Sequence, residues 1–261
     1  MPRLSTSGSD EVLEINRLTS RGVIALIAEA PGLLVRMTHN SALLMSGEEV
    51  SDLNLLLVGP GPEPERFLNK AIDTARRRRL PLVAAFTPHV ARELAPSAER
   101  LGLTPAGALP MMVLRATAPI EPSRATKIER VANPREAAIA GDLQARAFDI
   151  PRQSIARVFE ASCTEASSVE TFIGSDGGGP NATITLIRTG ASAGVWLMAT
   201  DPEHQRKGAG RALLTQLLEQ YRRAGVRRFY LNSSAAGRAL YESVGFKVIA
   251  EYSLFVLAQP A

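Results

Sequence analysis

One order of elements is legible twice in this chain, once in each half: strand, loop, helix, strand, helix, glycine, strand. In the second half, Gly194-Val-Trp-Leu-Met-Ala199 is a short apolar run of the kind a buried strand needs. A loop follows to Gly210, and Leu214, Leu217, Leu218 and Tyr221 then recur at helical spacing until Ala224-Gly225. Arg228-Phe-Tyr-Leu-Asn232 is rich in strand formers, and a helix is expected over residues 235–243, with Ser234 able to cap it. Gly245-Phe246 stops that helix, and residues 248–257 supply a last strand.

The first half repeats the order with strands at 53–58, 81–86 and 111–114 and helices at 66–79 and 89–101, the second ended by Gly102. Alternation of this kind restricts the chain to α/β architectures. Strands at 169–173 and 182–187, joined by a turn at 176–180, must pair antiparallel, so the sheet is mixed. Further elements are a strand at 127–131 and helices at 134–148 and 151–161, each helix opened by a proline suited to a first turn. Two prolines in Ala116-Thr-Ala-Pro-Ile-Glu-Pro122 mark a connection, which divides the chain into expected domains at 1–120 and 121–261.

Between the strand near 195 and the leucine stripe lies His204-Gln-Arg-Lys-Gly-Ala-Gly-Arg211. A helix start carries unpaired N–H groups and the positive end of the helix dipole. Glycine lets backbone approach an anion closely, and Arg206, Lys207 and Arg211 add charge suited to a polyphosphate. The alternative is a plain basic loop. A Walker loop is absent, and Leu213 stands where a dinucleotide fingerprint needs its third glycine. What remains is Gln205-x-x-Gly208-x-Gly210.

That pattern, with Leu240-Tyr-Glu-Ser-Val-Gly-Phe246 downstream, resembles the GNAT superfamily of acyl-CoA-dependent N-acetyltransferases, over roughly residues 126–257. The resemblance implies two GNAT-like domains, each a mixed, mostly antiparallel sheet flanked by helices with a splayed central strand. It implies acetyl-CoA as co-substrate, with its diphosphate on Gln205, Arg206, Lys207, Gly208, Ala209, Gly210 and Arg211, and its pantetheine arm along Met198, Ala199 and Thr200. Tyr241 matches the family's general acid; the alternative is a core tyrosine. Ser234 stands where the family often has asparagine, so it either touches the coenzyme or only caps its helix.

The implied reaction moves an acetyl group to a primary amine of a small-molecule or amino-acid-like acceptor. No base is placed: Glu170, Glu203 and His204 are candidates, and water serves otherwise. The first half departs from the motif. Gly59-Pro-Gly-Pro-Glu-Pro64 lacks cations and holds three prolines, which cannot donate N–H groups, so this domain is expected to be degenerate. A non-catalytic acyl-CoA sensor and a nucleotide-phosphate binder are the rival functions.

Composition excludes other classes. The charge is +4, a small excess for 261 residues, and Arg76-Arg-Arg-Arg79 suits a solvated helix end better than a nucleic-acid patch, since no aromatics interleave. One cysteine, Cys163, excludes an internal disulfide; it is expected as a buried apolar residue rather than a nucleophile. His39, His89 and His204 lie far apart, so no metal is expected. The polar start has no signal-peptide core, and no apolar run approaches the roughly 20 residues of a membrane span. The expectation is a cytoplasmic protein with neither nucleic-acid nor membrane partner; a homodimer is compatible with the sequence.

Overall fold

The structure is a computed structural model that describes residues 6–28, 30, 32–121, 123–160 and 168–258. Cys163 lies outside the described residues. The chain splits into two compact units: Met1–Met112 with Asn232–Ala235 and Val248–Ala261, and Val113–Leu231 with Ala236–Lys247. The expected domains were consecutive segments, whereas these units interleave along the chain. The cause is β11, Lys247–Leu257, which pairs antiparallel with β4, Leu82–Phe86, from Ser253↔Phe86 to Leu257↔Leu82.

The first unit begins with helix α1, Thr6–Leu26, and the hairpin of β1, Leu34–Met37, and β2, Ala42–Met45. None of these three was expected from the sequence. β3, Asn54–Val58, pairs antiparallel with β2 and parallel with β4. Helix α2, Pro64–Arg78, helix α3, Pro88–Arg100, and strand β5, Thr104–Arg115, complete the set, in the sheet order β1-β2-β3-β4-β11-β5. The 3.6-residue period of α2 brings Leu68, Ile72 and Ala75 onto one buried face, which meets Val90 and Leu94 of α3 and Leu56, Leu82, Phe86 and Phe255 of the sheet. Each such large apolar side chain contributes about 1.5–3 kcal/mol on burial.

A buried amide pins the start of β3. Asn54 is fully buried; its side chain donates to the carbonyls of Glu48, Val50 and Pro81 and accepts from the Ser46 amide. Asn54→Ala leaves those carbonyls without their donor, so we expect a loss of about 2 kcal/mol, read as a lower urea midpoint. The arginine run is equally local. Arg79 ends α2 in a left-handed conformation, Arg76 donates to the Leu101 carbonyl, Arg77 to Thr74 Oγ1 and Arg78 to the Gly32 carbonyl.

The second unit is also mixed α/β. Its strands are β6, Lys127–Arg130, β7, Val169–Asp176, β8, Gly179–Thr189, β9, Ser192–Thr200, and β10, Arg228–Asn232, in the order β10-β9-β8-β7-β6. All neighbours are antiparallel except β9 and β10. Helices are α4, Pro134–Phe148, α5, Arg152–Glu160, α6, Ala209–Arg223, and α7, Arg238–Val244. Asn133 caps α4 by accepting from the Glu136 amide, and the proline at its first turn removes a donor that needs no partner. The leucine stripe of α6 is wholly buried, and its Leu213 lies against Gly174 of β7.

Candidate functional site

Strand β9 parts from both neighbours near one point. Its parallel pairing with β10 runs Ser192↔Arg228, Ala193↔Phe229, Gly194↔Tyr230 and ends there. On the other side its register with β8 holds at Trp196↔Thr185 and resumes at Ala199↔Thr183. Leu197 and Met198 therefore oppose a single residue of β8, which is a β-bulge. Leu197 sits at φ 46°, a left-handed value that costs a leucine about 1–2 kcal/mol. Beyond Gly194, the main-chain groups on that edge of β9 have no partner in β10.

The loop after β9 is fixed by Asp201, only 8% exposed. Its amide donates to the Asn181 carbonyl at 2.9 Å, its carboxylate accepts from the Glu203 amide at 3.0 Å, and Arg146 of α4 donates to it at 2.5 Å. Burial alone raises the Asp201 pKa, but the Glu203 amide and Arg146 outweigh it and hold the carboxyl below its usual range. His204 Nδ1 lies 3.8 Å from that carboxylate, too far for a hydrogen bond. Gln205 turns back to donate to the Thr200 carbonyl at 3.3 Å, and its own side chain is otherwise exposed.

Two left-handed residues follow, Arg206 at φ 59° and Gly208 at φ 83°. Such turns aim successive amides at one point. Helix α6 opens at Ala209, and its first internal bond runs from the Ala212 amide to the Gly208 carbonyl at 2.9 Å. The amides of Ala209, Gly210 and Arg211 therefore have no acceptor inside the helix. Ala209 and Gly210 are buried. A Cβ on Gly210 would meet Thr200 Oγ1 at 2.5 Å and Met198 Cε at 3.1 Å, so a larger residue must displace both side chains for α6 to start this close to β9. Nothing lies within 4 Å of a Cβ on Gly208, whose requirement is its φ.

The structure brings together Met198, Ala199, Thr200, Gln205 and the stretch 206–211 of the expected site. Arg206 and Lys207 are exposed at its rim. Arg211 donates through Nη1 to Ser243 Oγ at 2.7 Å and to the Ser243 carbonyl at 3.3 Å, which ties the first turn of α6 to the last turn of α7 and leaves its other guanidinium N–H groups outside these bonds. Tyr241 lies on α7, two residues before that anchor. It is 9% exposed, packs edge-on against Phe246 at 5.7 Å, and burial pushes its pKa up to about 12.

Ser234 does not cap a helix. Residues 235–237 form a turn, and α7 starts only at Arg238 after Gly237. Ser234 is exposed and belongs to the stretch grouped with the first unit. Of the candidate bases, Glu170 accepts from Tyr221 Oη and pairs with Arg130 at 3.4 Å. Tyr221 lies twelve residues along α6 from Ala209, about 18 Å at 1.5 Å per residue, so Glu170 sits at the far end of the helix. Glu203 is exposed. The resemblance implied a splayed strand, but the point where β9 parts from β10, the bulge and the Asp201–Arg146 anchor escaped sequence reasoning. A glycine inside a strand, Gly194, was the one available signal of a close approach.

Among the described residues, no group of three or more His, Cys, Asp or Glu could hold a metal, and no helix is long and apolar enough to cross a membrane.

Residues 167–248 match the family model of the acetyltransferase (GNAT) domain. A segment of 52 residues is 48% identical to the [ribosomal protein bS18]-alanine N-acetyltransferase of Escherichia coli strain K12, over 19% of this chain and 35% of that protein. The chain thus spans about a third of the length of the curated relatives it matches. Among solved structures, a GCN5-related N-acetyltransferase from Kribbella flavida aligns with TM-score 0.67 at 16% identity, over 94% of this chain and 95% of that one. A tandem GNAT protein from the clavulanic acid biosynthesis pathway aligns with TM-score 0.59 at 17% identity, over 97% of each chain. At those identities the likeness is one of fold. Residues 167–248 are thus similar to the GNAT acetyltransferase domain, and the chain has a fold that GNAT proteins share.

Proposed function

We propose that this chain is an N-acetyltransferase, moving the acetyl group of acetyl-CoA to a primary amine, with the second unit catalytic. The observation that carries the reading is the packing of Gly210 against Met198 and Thr200. It sets the free amides of α6 beside the unpaired edge of β9. The diphosphate of acetyl-CoA suits the amides of Gly208 to Arg211, with Arg206 and Lys207 at the rim. Its amide-bearing pantetheine arm suits the open edge over Met198, Ala199 and Thr200, and Ser234 remains a proposed contact.

In the reaction the amine lone pair attacks the thioester carbon and a C–N bond forms. The developing oxyanion takes a main-chain donor from the bulge. The C–S bond then breaks, the thiolate receives the Tyr241 proton, and the ammonium proton leaves to water, which returns one to the Tyr241 phenolate. Holding both reactants in the cleft contributes about 7–11 kcal/mol through effective molarity.

The Escherichia coli relative named above is a [ribosomal protein bS18]-alanine N-acetyltransferase, so the alanine amine of a protein joins small amines among the acceptors to assay. Thiol release from acetyl-CoA across an amine panel tests the reading; coenzyme binding without release on any amine refutes it. The sensor reading has one observation in its favour: of the candidate carboxylates, Asp201 is held by Arg146 and Glu170 is remote, which leaves only the exposed Glu203 of the loop. That same panel separates the two.

In the first unit the corresponding strands stay paired to their ends, from Leu55↔Val83 to Val58↔Phe86, and the Thr87 amide continues to the Val58 carbonyl at 2.9 Å. A Cβ on Gly59 would meet the Asn40 carbonyl at 2.5 Å, and Asn40 Nδ2 donates to Pro60, so the loop before α2 is filled by the protein itself. We therefore expect titration calorimetry to give one acetyl-CoA per chain. Arg146→Ala frees Asp201 and loosens the second unit's loop by about 1 kcal/mol, a roughly fivefold rise in the acetyl-CoA Kd.

A further inference from the structure

Alternation in three neighbouring strands carries charge onto the sheet face that α6 covers. Gly174 of β7 lies against Leu213 of α6, so Phe172 and Glu170, two and four residues earlier, share that face. Phe172 stands opposite Arg130 of β6, and Glu170 opposite Leu186 of β8. Ile128, Arg130, Leu186 and Arg188 therefore face α6 as well.

Helix α6 ends at Arg223, and its last turn does not close over this end of the sheet. There Ile128, Arg130, Glu170, Phe172, Arg188 and Tyr221 line a cavity of about 420 Å³. Small-molecule sites run from roughly 300 to 1,000 Å³, so the space suits a compact ligand. Arg130 and Arg188 are exposed, which leaves the cavity open to solvent.

The charges of the cavity are unequally matched. Tyr221 Oη donates to Glu170, and Arg130 pairs with the same carboxylate at 3.4 Å. Burial, then that hydrogen bond, hold the Tyr221 pKa well above the phenol range, so the hydroxyl stays the donor. Arg188 stands near enough to Tyr221 to oppose that rise. Its Nε donates to the Gly190 carbonyl at 3.1 Å. Among the described residues, its two Nη groups have no hydrogen bond and no acidic partner. A Cβ on Gly225 would lie 3.8 Å from Arg188 Nη2, so the guanidinium reaches the turn that ends α6. The carbonyls of that turn already accept from the Ala224, Gly225 and Val226 amides. Two arginines against one glutamate leave one positive charge uncompensated.

That balance selects the ligand. The planar fork of a guanidinium matches both oxygens of a carboxylate. A phosphate dianion brings a second charge against Glu170, and an amine meets an excess of positive charge. Ile128, the Phe172 ring and the Tyr221 ring, edge-on to it at 6.3 Å, supply apolar walls for the rest of a molecule. We propose that this cavity is a second binding site, which takes a small monocarboxylate with an apolar body through Arg188. Inward charges also protect a sheet edge, but only β6 is an edge here; Glu170 and Arg188 stand on β7 and β8 inside the sheet. Tyr221 lies about 18 Å along α6 from Ala209, so carboxylate and coenzyme can be bound together. The site stands whether or not the second unit transfers acetyl groups.

The test uses the full chain and three probes at mildly alkaline pH: phenylacetate, its neutral isostere phenylacetamide, and phenyl phosphate, a dianion. We expect titration calorimetry to give one phenylacetate per chain, bound at least about tenfold tighter than either other probe. Arg188→Gln costs phenylacetate at least about tenfold and leaves the acetyl-CoA Kd unchanged. Ile128→Trp, which fills the cavity and keeps Arg188, has the same effect. Glu170→Gln removes the opposing charge, so phenyl phosphate gains several-fold. Saturation with acetyl-CoA leaves phenylacetate affinity as it was. No saturable phenylacetate binding at millimolar levels overturns the site, as does equal affinity for the amide or wild-type affinity in Arg188→Gln. Displacement of phenylacetate by acetyl-CoA also overturns it, because the carboxylate then occupies the cleft.

Discussion

Gly210→Val lowers acetyl-CoA affinity by at least about a hundredfold while the chain still folds. A β-branched side chain at 210 must occupy space already taken by Thr200 Oγ1, at 2.5 Å from its Cβ, and by Met198 Cε, at 3.1 Å. Both atoms are side-chain ends that can turn aside for a methyl, but a valine must also seat two Cγ groups between α6 and β9. The first turn of α6 must therefore swing from β9 and take three amides out of line with the anion. Overpacking of this kind costs about 1–3 kcal/mol of stability, a lower Tm with a single cooperative transition. Gly208→Ala is the matched control. Space there is open, and only the left-handed φ is penalised, by about 1 kcal/mol, so its affinity falls less than tenfold. Wild-type affinity in Gly210→Val, measured by calorimetry, would place the diphosphate somewhere else.

Tyr241→Phe lowers kcat by about a hundredfold or more and leaves the acetyl-CoA Kd within twofold. The side chain is buried on α7, and its ring packing against Phe246 survives loss of the hydroxyl. With its pKa pushed up to about 12, Tyr241 is protonated at every ordinary assay pH and can donate to a departing thiolate. No fall in kcat from its ionisation is expected between pH 7 and 10. Stability has the same origin. The folded value exceeds the unfolded value of about 10, so the associated stability is fully present below pH 10 and is lost as pH rises toward 12. Tyr241→Phe removes that alkaline loss. A variant that turns over normally disproves the acid role.

Most of the second unit could be read from the chain because its signals are local. The leucine period of α6, the glycine after α7 and the turn between β7 and β8 each rest on residues a few positions apart. The first hairpin lacked such signals, because β1 and β2 span four residues each, too few to show a period. Helix α7 starts three residues later than its pattern suggests, since the turn at 235–237 uses residues that also suit a helix. The interleaving of the two units was also hidden. An apolar strand such as β11 carries no mark of the neighbour it will choose, and it chose β4.

The same division runs through the site. The chain alone dictated a glycine-bearing helix start after an apolar strand, because a left-handed residue and a bare backbone at Gly208 and Gly210 are chemical properties of those residues. Tertiary structure alone decided that β10 abandons β9 after Gly194, that Arg211 donates to Ser243, and that Trp196 and Tyr230 meet over one glycine. Those outcomes depend on which strand edges and side chains face each other across long stretches of chain, and pairwise geometry of that kind leaves no trace in the spacing of neighbours.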